Sequence, residues 1–219
     1  MSRGVFITFE GSEGCGKSTQ VNRLAARLEK AGIRTLLTRE PGGTAIGEKI
    51  RDLLQFAPES FAMMPETEVL LFEASRAQLV RETIQPAIDK GIVVISDRFF
   101  DSTTVYQGVA RKLSPEIVAT LNAFAVGNVR PDVTFILDID VETARNRLLR
   151  RVRPVTAVKD RMEEEPVEFY ERVCQGYREL ALREPDRFVV IDGTQSADAI
   201  EEQICTALQS KIQNPKSKM

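Results

Sequence analysis

The chain has 219 residues, 42% of them hydrophobic, and its 30 basic and 32 acidic side chains leave a net charge of −2. That is enough for one well-packed α/β domain over residues 1–219, and too little positive charge for a global field that draws duplex nucleic acid. No apolar run approaches the ~20 residues of a membrane helix, and the absence of histidine removes imidazole acid–base chemistry and His metal sites.

In chain order, Val5 to Phe9 predicts the first strand, and the residues before it lack the small-residue cleavage pattern of a secretion signal. Gly11-Ser12-Glu13-Gly14-Cys15-Gly16-Lys17-Ser18 follows, then a helix from Lys17 to Ala31. Strand, glycine-rich turn, Lys-Ser and helix form the P-loop pattern. Its glycines let successive N–H groups curl around phosphate oxygens, and the helix aims its positive end at the same anion. Lys17 is the candidate for the β- and γ-phosphates, and the Ser18 hydroxyl the candidate ligand for Mg²⁺. A glycine-rich turn serving only the backbone is the alternative, and the flanking strand and helix argue against it. Cys15 reads as a small residue filling the loop. With Cys174 and Cys205 it makes an odd, sparse set without metal-like spacing, which fits a reducing cytoplasm.

Further strands are predicted at Thr35–Thr38, Ile92–Ser96, Val133–Leu137 and Phe188–Ile191. Helices are predicted at Thr44–Phe56, Glu66–Lys90, Pro115–Gly127, Val141–Arg151, Glu163–Arg183 and Ala197–Lys211, with a frayed tail after Gln209. Short apolar strands alternating with helices predict a P-loop NTPase-type α/β fold: a doubly wound parallel sheet of about five strands with helices on both faces. Asp97 and Arg98 follow the third of these strands, where such folds deliver ligands. Asp97 suits Mg²⁺ or its water shell, and the planar fork of Arg98 suits two phosphate groups; the competing reading is a structural ion pair. From Arg145 to Arg161 there are seven basic residues and one acid, Asp160, around an uncharged middle, Pro154 to Val158. A solvated helix face is the bland reading of that run.

Several segments together resemble bacterial-type thymidylate kinase. They are Phe-Glu-Gly-Ser-Glu-Gly-Cys-Gly-Lys-Ser-Thr (9–19), Thr-Arg-Glu-Pro-Gly-Gly-Thr (38–44), Leu-Leu-Phe-Glu-Ala-Ser-Arg-Ala-Gln (70–78), Asp-Arg-Phe-Phe-Asp-Ser-Thr-Thr-Val-Tyr-Gln-Gly (97–108), Pro-Asp-Val-Thr-Phe-Ile-Leu-Asp (131–138) and Asp-Arg-Met-Glu (160–163). The resemblance implies that ATP phosphorylates dTMP with Mg²⁺ held near Ser18 and Asp97, in a cytoplasmic homodimer that binds neither nucleic acid nor membrane. It places ATP on Gly11 to Thr19. It gives Glu13 to the acceptor sugar, Phe72 to stacking on thymine and Arg76 to its O4. It gives Arg39, Arg98 and Arg51 to the acceptor phosphate. Thr103, Tyr106 and Gln107 would close the nucleoside pocket, with Tyr106 crowding a 2′-hydroxyl. The segment at about 145–161 corresponds to a lid over ATP. Gly14 stands where one design of the family has a P-loop arginine, so the resemblance points to the design with lid arginines, Arg147 and Arg151. The adenine pocket would use the loop 192–195.

A phosphate acceptor is already ionised near neutral pH, so transfer needs alignment and charge neutralisation rather than a strong base. Two rivals remain at this level: another monophosphate or deoxynucleoside kinase on the same fold, and a nucleotide switch protein.

Overall fold

The computed structural model describes residues 3–150 and 160–213. Five strands form one parallel sheet: β1 (Phe6–Glu10), β2 (Thr35–Arg39), β3 (Val93–Asp97), β4 (Val133–Asp138) and β5 (Phe188–Asp192), in the order β2-β3-β1-β4-β5. Each predicted strand lies within one residue of the observed one. The strands are legible because a parallel sheet covered on both faces needs an unbroken apolar run.

Successive side chains point to opposite faces, and the core divides accordingly. Ile7, Phe9, Ile95, Phe135, Leu137 and Ile191 pack on one face. There they meet α1 (Lys17–Lys30), through Val21, Leu24 and Ala25, and the C-terminal helix, through Ile200 and Ile204. Phe6, Val94, Ile136 and Phe188 point to the other face, under most of the remaining helices, while Ala144 joins the first face.

Those helices follow in chain order. Helix α2 (Ala45–Gln55) starts at Thr44, whose hydroxyl accepts the Gly47 N–H at 2.9 Å. Helix α3 (Pro65–Leu79) runs through a wider π turn, Val80–Ile84, into α4 (Gln85–Asp89). The single helix predicted from Glu66 to Lys90 therefore contains a change of pitch. Pro86 has no N–H to give the turn before it, and the widened turn accommodates its ring. A short helix α5 (Phe100–Thr103) continues as a π turn over Thr104–Ala110, and the sequence reading assigned no element there. Helices α6 (Pro115–Val126) and α7 (Val141–Arg150) match their expected positions.

The helix expected from Glu163 starts later, as α8 (Val167–Arg183), behind a 3-10 turn at Arg161–Glu164. Pro166 disfavours helical backbone at Glu165, which separates the two. Helix α9 (Ala197–Gln213) runs past the expected end at Lys211. Arg151, the rest of the basic segment to 159, and the tail beyond 213 lie outside the described residues. No helix among the described residues is long and apolar enough to cross a membrane.

Register brings the carboxyl ends of the three strands β1, β3 and β2 together. Phe9 pairs with Asp97 and Arg39 pairs with Asp97, so Glu10, Asp97 and Arg39 emerge on one edge beside the glycine-rich loop.

Candidate active site

Between β1 and α1 the loop turns sharply around Gly14, whose φ is +75°. A Cβ at Gly14 would sit 2.8 Å from the Ala144 carbonyl and 3.3 Å from Leu148, so α7 presses directly on the loop. A long side chain at residue 14 has no room, and any cation for the phosphates on this side must come from elsewhere. Lys17 arches back over the loop and donates to the carbonyls of Gly11 at 3.0 Å and Ser12 at 2.8 Å. Its Nζ lies 3.5 Å from Cys15 Sγ. Cys15 is fully buried, as expected of a loop filler, and Thr19 faces outward.

Ser18 Oγ donates to Asp97 Oδ2 at 2.6 Å. The hydroxyl predicted from the loop and the carboxylate predicted from β3 therefore meet, as hard oxygen donors beside the P-loop. That donor set suits Mg²⁺, which takes few protein oxygens and keeps phosphate and water in its remaining positions.

Arg98 has a left-handed backbone, with φ at +73°. Its N–H donates to Phe9 O at 2.9 Å and its carbonyl accepts from Ser96 Oγ at 2.7 Å, which holds this unusual conformation. The guanidinium pairs with Glu13 Oε1 at 2.6 Å, lies 5.0 Å from the centre of the Tyr106 ring, and donates to Gly11 O and Ser102 Oγ, each at 3.1 Å. Tyr106 donates to the second Glu13 oxygen at 2.7 Å.

Behind Arg98 stands Glu10, fully buried. It accepts from the Phe99 N–H at 2.8 Å, Ser102 Oγ at 2.6 Å and the Tyr177 hydroxyl at 2.7 Å. Burial, with Asp101 nearby, raises the Glu10 carboxyl above its ordinary range. The sequence reading gave Glu10, Ser102 and Tyr177 no role. Glu10 and Ser102 stood inside the quoted motifs, whereas Tyr177 arrives from α8 with no local signal.

One cavity of about 240 Å³ joins these groups. Lys17, Ser18, Gly14 and Asp97 line its phosphate side, and Phe72, Thr103, Tyr106 and Gln107 line the other. Arg39, Arg51, Arg98 and Glu13 line it too. Arg39 pairs with Glu48 at 2.8 Å, and Arg51 donates to Pro41 O at 3.0 Å. Asp160 and Glu163 also face the cavity; the Asp-Arg-Met-Glu motif marked them, but no role was read for either.

Arg76 is different. It lies 1% exposed, outside the cavity lining, and its guanidinium is taken up on every side. It pairs with Glu40 at 2.6 Å and with Glu73, and donates to Thr103 Oγ1 at 3.0 Å, Asn122 Oδ1 at 3.3 Å and Phe99 O at 3.3 Å. A contact from Arg76 to a base would require one of these partners to be replaced. Burial pushes the Glu40 carboxyl up to about 7, against the pull of Arg76.

Arg147, on α7, is half-buried one residue before Leu148, which lines the cavity. Arg145 and Arg150 on the same helix are exposed. Asp192 sits below the ordinary carboxylate range, chiefly through its bonds from Thr194, with a smaller pull from Arg147. Arg147 is therefore near enough to the loop 192–195 for its charge to reach Asp192. That loop runs close to the P-loop, since a Cβ on Gly193 would stand 2.7 Å from Ile139 and 3.4 Å from Cys15 O.

The chain is similar to known proteins over nearly its full length. Residues 9–204 match the family model described as thymidylate kinase. Thymidylate kinase of Geobacter sulfurreducens is 47% identical over 210 residues, spanning 95% of this chain and 98% of that protein. That of Kosmotoga olearia is 47% identical over 200 residues, 91% of this chain and 93% of its own. A crystal structure of thymidylate kinase from Ehrlichia chaffeensis superposes with a TM-score of 0.76 at 33% identity, covering 94% of this chain and 99% of that one.

Proposed function

The chain belongs to the thymidylate kinase family and phosphorylates dTMP to dTDP with ATP, and we propose that the cavity described above performs the transfer, with the following assignment of roles. The observation that carries it is the single cavity lined by a P-loop at one side and by Phe72, Tyr106 and Gln107 at the other.

ATP lies along Gly11 to Thr19, its phosphates against the loop amides, the start of α1 and Lys17. Mg²⁺ would be held by Ser18 and Asp97 and would neutralise β- and γ-phosphate charge there. The dTMP phosphate lies among Arg39, Arg51 and Arg98. Glu13, already accepting from Arg98 and Tyr106, accepts the sugar 3′-hydroxyl. Phe72 stacks on the base, with Thr103 and Gln107 around its edge. A dTMP phosphate oxygen forms a bond to the γ-phosphorus as the bond to the ADP oxygen breaks. The acceptor carries its own negative charge, so no side chain has to remove a proton. Lys17, Arg98 and the lid arginines hold the reactants in line and meet the charge on the transferred group. The enzyme works as a single kinase domain in the cytoplasm. Leu53, Phe61, Met64, Leu70 and Phe124 stand exposed on α2, α3, α6 and the turn between α2 and α3, an apolar set that supports a homodimer.

Tyr106 selects deoxyribose. Its ring is 5% exposed at the cavity wall and is tied to Glu13, so it cannot swing away from a 2′-hydroxyl. Tyr106→Ala is expected to narrow the kcat/KM ratio of dTMP over its ribonucleotide counterpart by about tenfold or more. Tyr106→Phe loses the bond to Glu13 but keeps the ring packed against Phe169 and Tyr177, and is expected to retain the ratio. An unchanged ratio in the alanine variant assigns Tyr106 to packing alone.

The lid arginines are tested by comparing neighbours on α7. Gly14 is crowded by Ala144 and Leu148 of α7, and the half-buried Arg147 of that helix takes the role of the lid cation. At saturating dTMP, Arg147→Ala is expected to lower kcat by up to ~10³-fold with dTMP binding little changed, and the exposed Arg150 by no more than a few-fold. Equal, small losses at both positions would mean a solvated basic helix and end the assignment. Arg151, placed in the same role by resemblance, lies outside the described residues.

A further inference from the structure

Gln107 is 2% exposed and contributes to the cavity wall, and its side-chain amide has one fixed end. Nε2 donates to Glu68 Oε1 at 2.8 Å. Glu68, in the first turn of α3, is 1% exposed and surrounded by donors. Arg111 donates from Nε to Oε1 at 3.2 Å and pairs with Oε2 at 3.1 Å, and Arg161 pairs with Oε2 as well. Burial opposes its ionisation, but the donors from Arg111 and Gln107 outweigh burial and hold the carboxyl below its ordinary range. An ionised carboxylate only accepts hydrogen bonds. Turning the Gln107 amide over would set its carbonyl oxygen against that carboxylate. The NH₂ end therefore stays on Glu68, and Oε1 is the end left for the cavity.

We propose that Glu68 sets the base specificity of the acceptor site by locking the Gln107 amide with its carbonyl towards the base, so that the site takes a pyrimidine carrying N3–H and rejects cytosine. The inference rests on the reading above that the base stacks on Phe72 beside Gln107. Thymine and uracil present O2, N3–H and O4, so the central position donates and a carbonyl satisfies it. Cytosine presents an unprotonated N3, which would face that carbonyl lone pair to lone pair with neither group satisfied. A buried site that leaves two acceptors opposed discriminates far more strongly than one that lacks a methyl contact. Glu68 touches neither substrate in this arrangement. It is a positioning residue that acts through Gln107.

The test is kcat/KM for dTMP, dUMP and dCMP, with ATP, in full-length wild type and Glu68→Gln. In the variant, Arg161 and the terminal nitrogen of Arg111 keep the amide oxygen at the Oε2 side of the cluster, and the Arg111 Nε bond to the other side is given up. The new NH₂ group then faces Gln107, which turns and offers its own NH₂ to the base. The expected result is a fall of at least about tenfold in the dTMP-to-dCMP ratio, with the absolute rate on dCMP rising. General damage to the fold lowers both rates together and leaves the ratio in place. Arg111→Gln disturbs the same cluster but leaves Glu68 as an acceptor, so its ratio should stay within about twofold of wild type. If Glu68→Gln alone does not fold, the double variant with Arg161→Gln restores the charge balance and carries the same measurement. A folded Glu68→Gln enzyme with the wild-type ratio, or an equal shift in Arg111→Gln, overturns the proposal. Gln107→Leu separates the two levels of argument. An unchanged dTMP rate there means that Gln107 does not meet the base and the underlying placement fails, whereas a loss on dTMP without gain on dCMP upholds the placement.

Discussion

Lys17→Ala is expected to lower kcat for dTMP phosphorylation by about 10³-fold or more while the ligand-free protein stays folded. Lys17 is 7% exposed, and its Nζ donates to two carbonyls of its own loop, Gly11 O and Ser12 O. Losing those two bonds costs about 1–2 kcal/mol, because both acceptors belong to a loop that borders the cavity. In a chain of 219 residues that lowers the melting temperature by no more than about 4–8 °C. The loss in rate is much larger because the ammonium is the loop's only side-chain cation. Glu13 is an acid, Gly14 admits no long side chain, and the other loop groups offer dipoles alone. The check is steady-state ADP formation at saturating dTMP, alongside thermal melting without ligand. A variant that no longer folds would make Lys17 a structural residue and remove it from the phosphate site.

Arg76→Ala is expected to do its damage to the fold. The family resemblance implies a donor to thymine O4, whose loss would weaken dTMP binding and leave stability alone. The structure instead surrounds the guanidinium with Glu40 and Glu73, both less than 8% exposed at their side chains. Removing the cation from such a cluster strands buried carboxylates, at about 3–5 kcal/mol, or a fall in melting temperature on the order of 10 °C. The effect should depend on pH in one direction. The Glu40 carboxyl stands at about 7 in the fold, above its ordinary value, so the folded state binds its proton more tightly than the unfolded state does. The stability from that proton is fully present below the ordinary carboxylate range and is lost as pH rises through about 7. Without Arg76 the carboxyl rises further, since one of the forces lowering it is gone. The deficit of the variant against wild type should therefore be level from about pH 5 to pH 6 and widen as pH rises through about 7 to pH 8. Melting curves across that range, with calorimetric dTMP titration, decide the matter. Unchanged melting with weakened dTMP binding would return Arg76 to the base.

The five strands, the P-loop with Lys17 and Ser18, and Asp97 and Arg98 at the end of β3 were all legible in the sequence. Each is written locally: an unbroken apolar run makes a doubly covered strand, and the glycine spacing with Lys-Ser makes a phosphate loop at its end. The segment 100–110 gave no such signal. Its Ser102-Thr103-Thr104-Val105 run is rich in poor helix formers, and it becomes helical by packing on α6 and α8. Partners are harder still to read. Arg76 finds Glu40 from 36 residues away, Glu68 holds Gln107 from 39 away, and Tyr177 reaches Glu10 from 167 away. By itself the sequence determined the sheet, the phosphate loop and the family. Only the tertiary structure decided which buried charges and amides satisfy one another, because a desolvated polar group must be paired by whatever the fold brings within about 3 Å, and no local pattern encodes that choice.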